Sequence, residues 1–483
     1  HTVNVSLYGY FFEKTVENRT TGEYPATLAA PGDVLRYSIR VQTTDGALDN
    51  FVIADDMGDM NALPAFVPGS LQFVPGTLPP GANTGNTNPS GGSNGDGYLE
   101  VGNLSLPAGD ELTIEFDITL AAALVDGTVV TNQADLIRNI KLADSDDPFV
   151  NGQASPDVDG DEDPTRVSIQ AVPPQPIVKA NTQDTATIGE SFAYRVTIPA
   201  VAHSAPLYDV RILDDLALSA ADLEFVSVQK IAGSVDWTPA NTGSSTNLVI
   251  EDPNRGIDIP AGEQIEIEIV VRLADTTTNV AGLTFTNTAE WTYNQLDANP
   301  ATVLPGTGST TAAMTVVEPE LTLEKNGPLN LRLNLTGTFT LNIHNVGGSS
   351  AYGVYVTDLL PNQADGGMCD AAPTNVVAQV YEADGTTPVG SPLAEGSDFT
   401  TSFSGDPDCL FTLDMLTPAT AIAPDQRLII SYDAVLDANT VRDAVLTNVA
   451  GATEWFSTDE MDAVAGPAGR NYARTISDGT VGT

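Results

Sequence analysis

Apolar and polar residues alternate with a period of two along most of the chain, in short runs closed by glycine and proline. Half-buried β-strands carry this signature. One order of runs occurs three times. Each copy opens on an apolar run holding one lysine: Phe11-Phe12-Glu13-Lys14, Ile177-Val178-Lys179 and Leu321-Thr322-Leu323-Glu324-Lys325. A glycine-led run follows, from Gly32 to Ile39, Gly189 to Val196 and Gly337 to Ile343. The next run ends in aspartate: Val52-Ile53-Ala54-Asp55-Asp56, Arg211-Ile212-Leu213-Asp214-Asp215 and Tyr355-Val356-Thr357-Asp358. A turn then feeds a strongly alternating strand. It reads Pro107-Ala108-Gly109-Asp110, Pro260-Ala261-Gly262-Glu263 and, more loosely, Ala423-Pro424-Asp425-Gln426. Each copy finishes on an asparagine run: Val130-Thr131-Asn132, Phe285-Thr286-Asn287 and Leu446-Thr447-Asn448.

Many short strands between turn residues predict an all-β chain of three tandem Ig-like antiparallel β-sandwich domains. The length of 483 residues agrees with three domains. Proline-rich segments near residues 171 and 318 divide the chain into 1–171, 172–318 and 319–483. Short, proline-stiffened linkers predict an end-to-end rod. Residues 1–7 stand ahead of Lys14 as 166–172 stand ahead of Lys179, so they read as the closing strand of a domain not otherwise represented. That fits a longer repeat array, a strand given to a neighbouring subunit, or an ordinary edge strand. The Gly/Asn/Ser-rich stretch 81–97 reads as a mobile loop, and 362–410 as another long loop.

Charge narrows the function classes. The formal net charge is −45, which repels nucleic-acid phosphates and anionic membrane surfaces. No apolar run is long enough for a membrane span. Only five lysines occur, so the recurrence of three of them at one place in the repeat is informative. With them recur one aspartate and one asparagine, giving the sets Lys14/Asp55/Asn132, Lys179/Asp214/Asn287 and Lys325/Asp358/Asn448. A desolvated lysine loses its proton, and a desolvated aspartate keeps one. A neutral amine held against an amide, with an acid to polarise the carbonyl, can form an isopeptide bond and release ammonia. The same three residue types can also rest as a buried ion pair hydrogen-bonded to the amide, with no reaction. In two copies the aspartate has an aspartate neighbour, Asp56 or Asp215, so the acid assignment could slip by one.

On these runs the chain resembles the isopeptide-forming fimbrial and surface-repeat domains of bacteria, the pilin and collagen-adhesin-like modules. The resemblance spans all three repeats. It implies a Lys–Asn bond assisted by the aspartate in each. It also implies an extracellular stalk, adhesin shaft or filament subunit that self-associates or continues into further repeats. A ligand- or carbohydrate-binding surface module using inter-strand loops is the alternative.

Other candidates are local. Asp144, Asp146, Asp147, Asp157, Asp159, Asp161 and Asp163 concentrate carboxylates that could bind calcium, without the spacing of an EF-hand. Asp459, Glu460 and Asp462 are a weaker version. Cys369 and Cys409 are expected to pair as a disulfide in a secreted protein. Enzyme readings find little: His1, His203 and His344 lie in different repeats, and Gly91-Gly92-Ser93-Asn94-Gly95 has the letters of a hydrolase elbow without a strand-to-helix context. Trp237, Trp291 and Trp455 are scattered singly, against a carbohydrate platform.

Overall fold

The alternating runs are strands, stacked as three sandwiches. The structure is a computed structural model that describes residues 9–154, 160–234, 236–459, 469–477 and 480–482. Residues 1–7 lie outside the described residues. In each repeat the lysine strand, the glycine-led strand and the strand after the turn lie side by side. Tyr10–Asn18 pairs with Val34–Thr43, which pairs with Glu111–Thr119. Val178–Asn181, Ser191–Ile198 and Ile265–Leu273 repeat that order, as do Leu321–Asn326, Thr336–Asn345 and Arg427–Val435. All six pairings are antiparallel.

The facing sheet is built around the aspartate strand. Leu48–Asp56 lies between Asp135–Arg138 and Tyr98–Leu106. Tyr208–Asp215 lies between Asn247–Glu251 and Thr288–Asn294, and Tyr352–Leu359 between Leu410–Met415 and Val449–Phe456. Successive strand residues point to opposite faces, so Leu35, Tyr37, Ile39 and Val41 turn inward together and meet Phe51 and Ile53 across the gap. Full burial of such a side chain contributes roughly 1.5–3 kcal/mol. The buried apolar residues form three separate cores, within residues 12–169, 177–316 and 321–455.

Three expectations from the sequence need correction. The asparagine runs are not the last strands of their repeats. In the first sandwich Val129–Asn132 pairs with a later strand, Thr165–Ile169, in a small third sheet. Thr284–Phe285 does the same with Met314–Val317. Each small sheet also holds one parallel pair, to Leu28–Ala29 and Thr185–Thr187, beside the antiparallel main sheets. The chain changes sheets at the asparagine: residues before it join the small sheet, and Asp135–Arg138 or Thr288–Asn294 after it join the facing sheet. In the third repeat residues 444–448 belong to no strand.

The stretch 81–97 is laced down rather than free. Asp56 accepts from the Ser93 and Gly58 amides, Asn94 Nδ2 donates to the Gly58 carbonyl, and Asn83 and Asn88 bridge to Gly102 and Tyr98. Nor is 362–410 a loop: it contains Thr374–Tyr381, an edge strand on Arg427–Val435, and Phe399–Ser404, which pairs with Leu410–Met415. The β-branched and aromatic residues of both segments favour strand.

The second and third sandwiches are locked by polar contacts. Arg470 meets Asp275 at 2.7 Å and Glu318 at 2.8 Å, and Tyr472 donates to Glu318 at 2.7 Å. Among the described residues no helix is long and apolar enough to cross a membrane.

Candidate functional site

Inward alternation puts one charged residue from each sheet into each core. On the lysine strand Phe12, Lys14 and Val16 face inward, and on the aspartate strand Phe51, Ile53 and Asp55 do. Lys14 Nζ reaches Asp55 Oδ2 at 2.5 Å, across the sandwich. Lys179 hydrogen-bonds Asp214 in the same way. Lys325 Nζ lies 2.5 and 2.6 Å from the two oxygens of Asp358. The lysine side chains are 1%, 0% and 12% exposed in the three repeats, and the aspartates 0% in all.

The alternation also settles which aspartate is the partner. Asp56 and Asp215, one residue on, point out of the core. Each caps a single-turn 3₁₀ helix through the amide of Gly58 or Ala217.

The asparagine is delivered by the sheet switch. Asn132 Nδ2 donates to Asp55 Oδ2 at 3.5 Å, the oxygen that holds Lys14. Asn287 Nδ2 does so to Asp214 Oδ2 at 3.4 Å, again on the lysine's oxygen. Asn132 and Asn287 are buried, whereas Asn448 is half-buried. Asn448 reaches Asp358 only through Tyr432: its Nδ2 donates to the Tyr432 hydroxyl at 3.2 Å, and that hydroxyl donates to Asp358 Oδ2 at 2.6 Å.

Burial sets the protonation of each pair. Desolvation holds the Lys14 amine down at about 8, against an ordinary 10.5, although Asp55 pulls the other way. Lys325 is likewise lowered to about 8, and Lys179 is lowered by the same cause. Asp55, Asp214 and Asp358 are all raised, first by burial, against the opposing pull of their lysines. In each pair burial outweighs the partner's pull on both groups, shifting the amine and the acid in the direction of their neutral forms. Four buried carboxyl and amide oxygens here have no hydrogen-bond partner: Asp55 Oδ1, Asp214 Oδ1, Asn287 Oδ1 and Asn448 Oδ1.

Tyrosine is the component that the repeat pattern did not single out. The Lys14 amine lies 4.8 Å from the centre of the Tyr37 ring, and Lys179 4.4 Å from that of Tyr194. In the third site Phe339 holds the corresponding position and the tyrosine is its cross-strand partner, Tyr432. The partners of Tyr37 and Tyr194 are Phe116 and Ile269. Tyrosine at one place in two glycine-led strands was the available signal.

Of the acidic stretch, Asp144, Asp146, Asp147, Asp161 and Asp163 lie among the described residues. Asp157 and Asp159 lie outside the described residues, as do Glu460 and Asp462. Asp144 is paired with Lys141 at 2.5 Å. Asp146 accepts from the amides of Ala154 and Asp163, Asp147 from Phe149, and Asp163 from Asn151 Nδ2. Asp146 and Asp147 are raised, burial being the larger cause and neighbouring carboxylates adding to it. Asp161 has a partner too. Among the described residues the carboxylates that converge within 4.8 Å are instead Asp209, Asp258 and Asp297. Asp209 accepts from Asn294 Nδ2, and Asp258 from the Asp209 amide. Cys369 and Cys409 are joined, with Cα atoms 5.1 Å apart. The three tryptophans are buried in the cores and offer no surface platform.

No family model and no curated protein matches the chain. Among solved structures it is similar to the C-terminal domain of the Streptococcus pyogenes antigen I/II-family protein AspA. The identity is 11%, over 64% of this chain and 99% of that one, with a TM-score of 0.25. The full-length major pilin SpaD of Corynebacterium diphtheriae is similar at 13% identity over 87% of both chains, with a TM-score of 0.25. The C-terminal domain of the Streptococcus agalactiae AgI/II polypeptide BspA is similar at 12% identity over 63% of this chain and 99% of that one, with a TM-score of 0.22. Likenesses of this size define no shared family.

Proposed function

We propose that this chain is an extracellular structural protein, a stalk, adhesin shaft or filament subunit whose sandwiches are clamped by intramolecular Lys–Asn isopeptide bonds. The observation that carries the reading is the recurrence, in three separate cores, of a desolvated lysine against an aspartate, with an asparagine on that acid or one hydroxyl away. In the reaction Nζ attacks Cγ of the asparagine, the Nζ–Cγ bond forms, and the Cγ–Nδ2 bond breaks. One lysine proton leaves with Nδ2 as ammonia. The protonated aspartate polarises the amide carbonyl, and its unpartnered Oδ1 in the first two sites is available for that bond. The event happens once per site, so positioning matters and turnover does not.

The consequence is mechanical. A bond from Lys14 to Asn132 diverts tension around most of the first sandwich. The strands after the asparagine, such as Thr165–Ile169, stay outside the loop and bear load through their hydrogen bonds. Pulling the chain by its termini in a single-molecule force experiment tests this. Wild-type sandwiches should keep the looped segments hidden. Asn132→Ala should release roughly 120 residues, or about 400 Å of extra length at ~3.4 Å per residue. Full extension of all three wild-type sandwiches would refute the clamp.

A further inference from the structure

The third site is wired differently from the other two, and the difference assigns a chemical role to a tyrosine. In the first two sites the acid holds the asparagine amide directly. The hydroxyls of Tyr37 and Tyr194 lie buried beside Asn132 and Asn287, with no hydrogen bond to the acid. In the third, Tyr432 stands between the acid and the amide. Its hydroxyl lies 2.6 Å from Asp358 Oδ2, 3.2 Å from Asn448 Nδ2 and 3.1 Å from Lys325 Nζ. One oxygen thus touches the acid, the nucleophile and the leaving nitrogen. Tyr432 and Phe339 face each other across the strand pair, and they exchange the tyrosine that the other two sites carry on the glycine-led strand.

We propose that Tyr432 is a catalytic residue of the third site, relaying a proton from Asp358 to the leaving nitrogen of Asn448. This rests on the isopeptide reading above. As Nζ of Lys325 bonds to Cγ, it loses one proton to Asp358, which gives up its own proton along the relay. Nδ2, no longer conjugated to the carbonyl in the tetrahedral intermediate, becomes basic. The Tyr432 hydroxyl passes its proton to Nδ2 and takes one from Asp358, and ammonia leaves as the Cγ–Nδ2 bond breaks. Atoms and charge balance, and the tyrosine ends as it began. The first two sites need no such relay, because Asp55 and Asp214 touch Nδ2 themselves.

The test is peptide mapping of the whole protein by mass spectrometry, following the yield of each cross-linked peptide with time after expression. In Tyr432→Phe, which keeps the ring, the Lys325–Asn448 peptide should form on the order of a hundredfold more slowly. The Lys14–Asn132 and Lys179–Asn287 peptides should be unchanged, and Tyr37→Phe and Tyr194→Phe should leave their own links at wild-type yield. A Lys325–Asn448 link formed at the wild-type rate in folded Tyr432→Phe overturns the relay. Its absence from wild type while the other two links are present also overturns the relay. Absence of all three overturns the isopeptide reading itself. If Tyr432→Phe does not fold, replacement of all tyrosines by 3-fluorotyrosine keeps every hydroxyl with a more acidic proton. The linking rate of the third site alone should then change, and an equal response at all three sites would refute the role.

Discussion

The first two sites and the third hold the same three residue types in different surroundings. Lys14 and Lys179 are almost fully buried, a strand of a small third sheet leads into the asparagine, and the acid meets the amide directly. Lys325 is 12% exposed, its asparagine lies on a stretch without strand pairing, and a tyrosine hydroxyl fills the space between amide and acid. Desolvation, which prepares the amine, does not require strand pairing at the asparagine, since Lys325 is still lowered to about 8. Direct contact between acid and amide is lost there. The comparison separates two requirements for a cross-link: a dry amine, supplied by the two main sheets, and a placed amide, supplied by the segment that carries the asparagine.

The largest expected effect comes from removing the amide. Asn132→Ala or Asn287→Ala should lower the stability of its sandwich by about 4–5 kcal/mol in chemical denaturation, if a cross-link closing roughly 110 residues follows the loop-entropy estimate for disulfides. An unchanged midpoint would mean that no link existed to lose. The acids come next. Asp55→Ala and Asp214→Ala should prevent linkage and strand a buried lysine, at a cost of about 3–5 kcal/mol. Asp358→Ala should cost less, on the order of 2 kcal/mol, because the Lys325 amine can reach water along its flexible stem. Equal losses at all three sites would erase the distinction drawn here.

A pH series sharpens the protonation argument. In the unlinked Asn132→Ala protein the folded lysine has lost its proton above about 8, while the unfolded chain keeps it to 10.5. The unfolded state therefore binds more protons in that window, and stability should rise with pH from 8 toward 10.5 by up to about 3 kcal/mol. Below 8 the penalty is fully present. In linked protein that nitrogen is an amide, so the rise should be missing. Thermal melts across this range on both proteins make the check. The smallest effect is at the neighbouring acid: Asp56→Ala should leave linkage intact and cost about 1 kcal/mol, the loss of a cap.

The repeat order, the all-β class and the lysines and aspartates that meet in the cores were legible because alternation with a period of two dictates which residue of a run faces the core. The same rule separates Asp55 from Asp56. What stayed hidden depended on pairing between distant segments. Alternation does not say that a strand changes sheets at Asn132, that Thr165–Ile169 pairs in parallel with Leu28–Ala29, or that Tyr432 replaces Tyr37 from across the strand pair. The acidic stretch shows the converse. Density in sequence did not mark Asp209, Asp258 and Asp297, the carboxylates that converge among the described residues although far apart in sequence.

The central claim is that a neutral amine buried against an amide has reacted with it. Intact-mass measurement of the purified chain, with the disulfide accounted for, tests this most directly. The account predicts a mass below that of the sequence by one ammonia for every linked site, three in all, with one restored in each of Asn132→Ala, Asn287→Ala and Asn448→Ala once the substitution itself is allowed for. A wild-type mass equal to that of the unlinked sequence would contradict it and leave three buried ion pairs in place of three bonds.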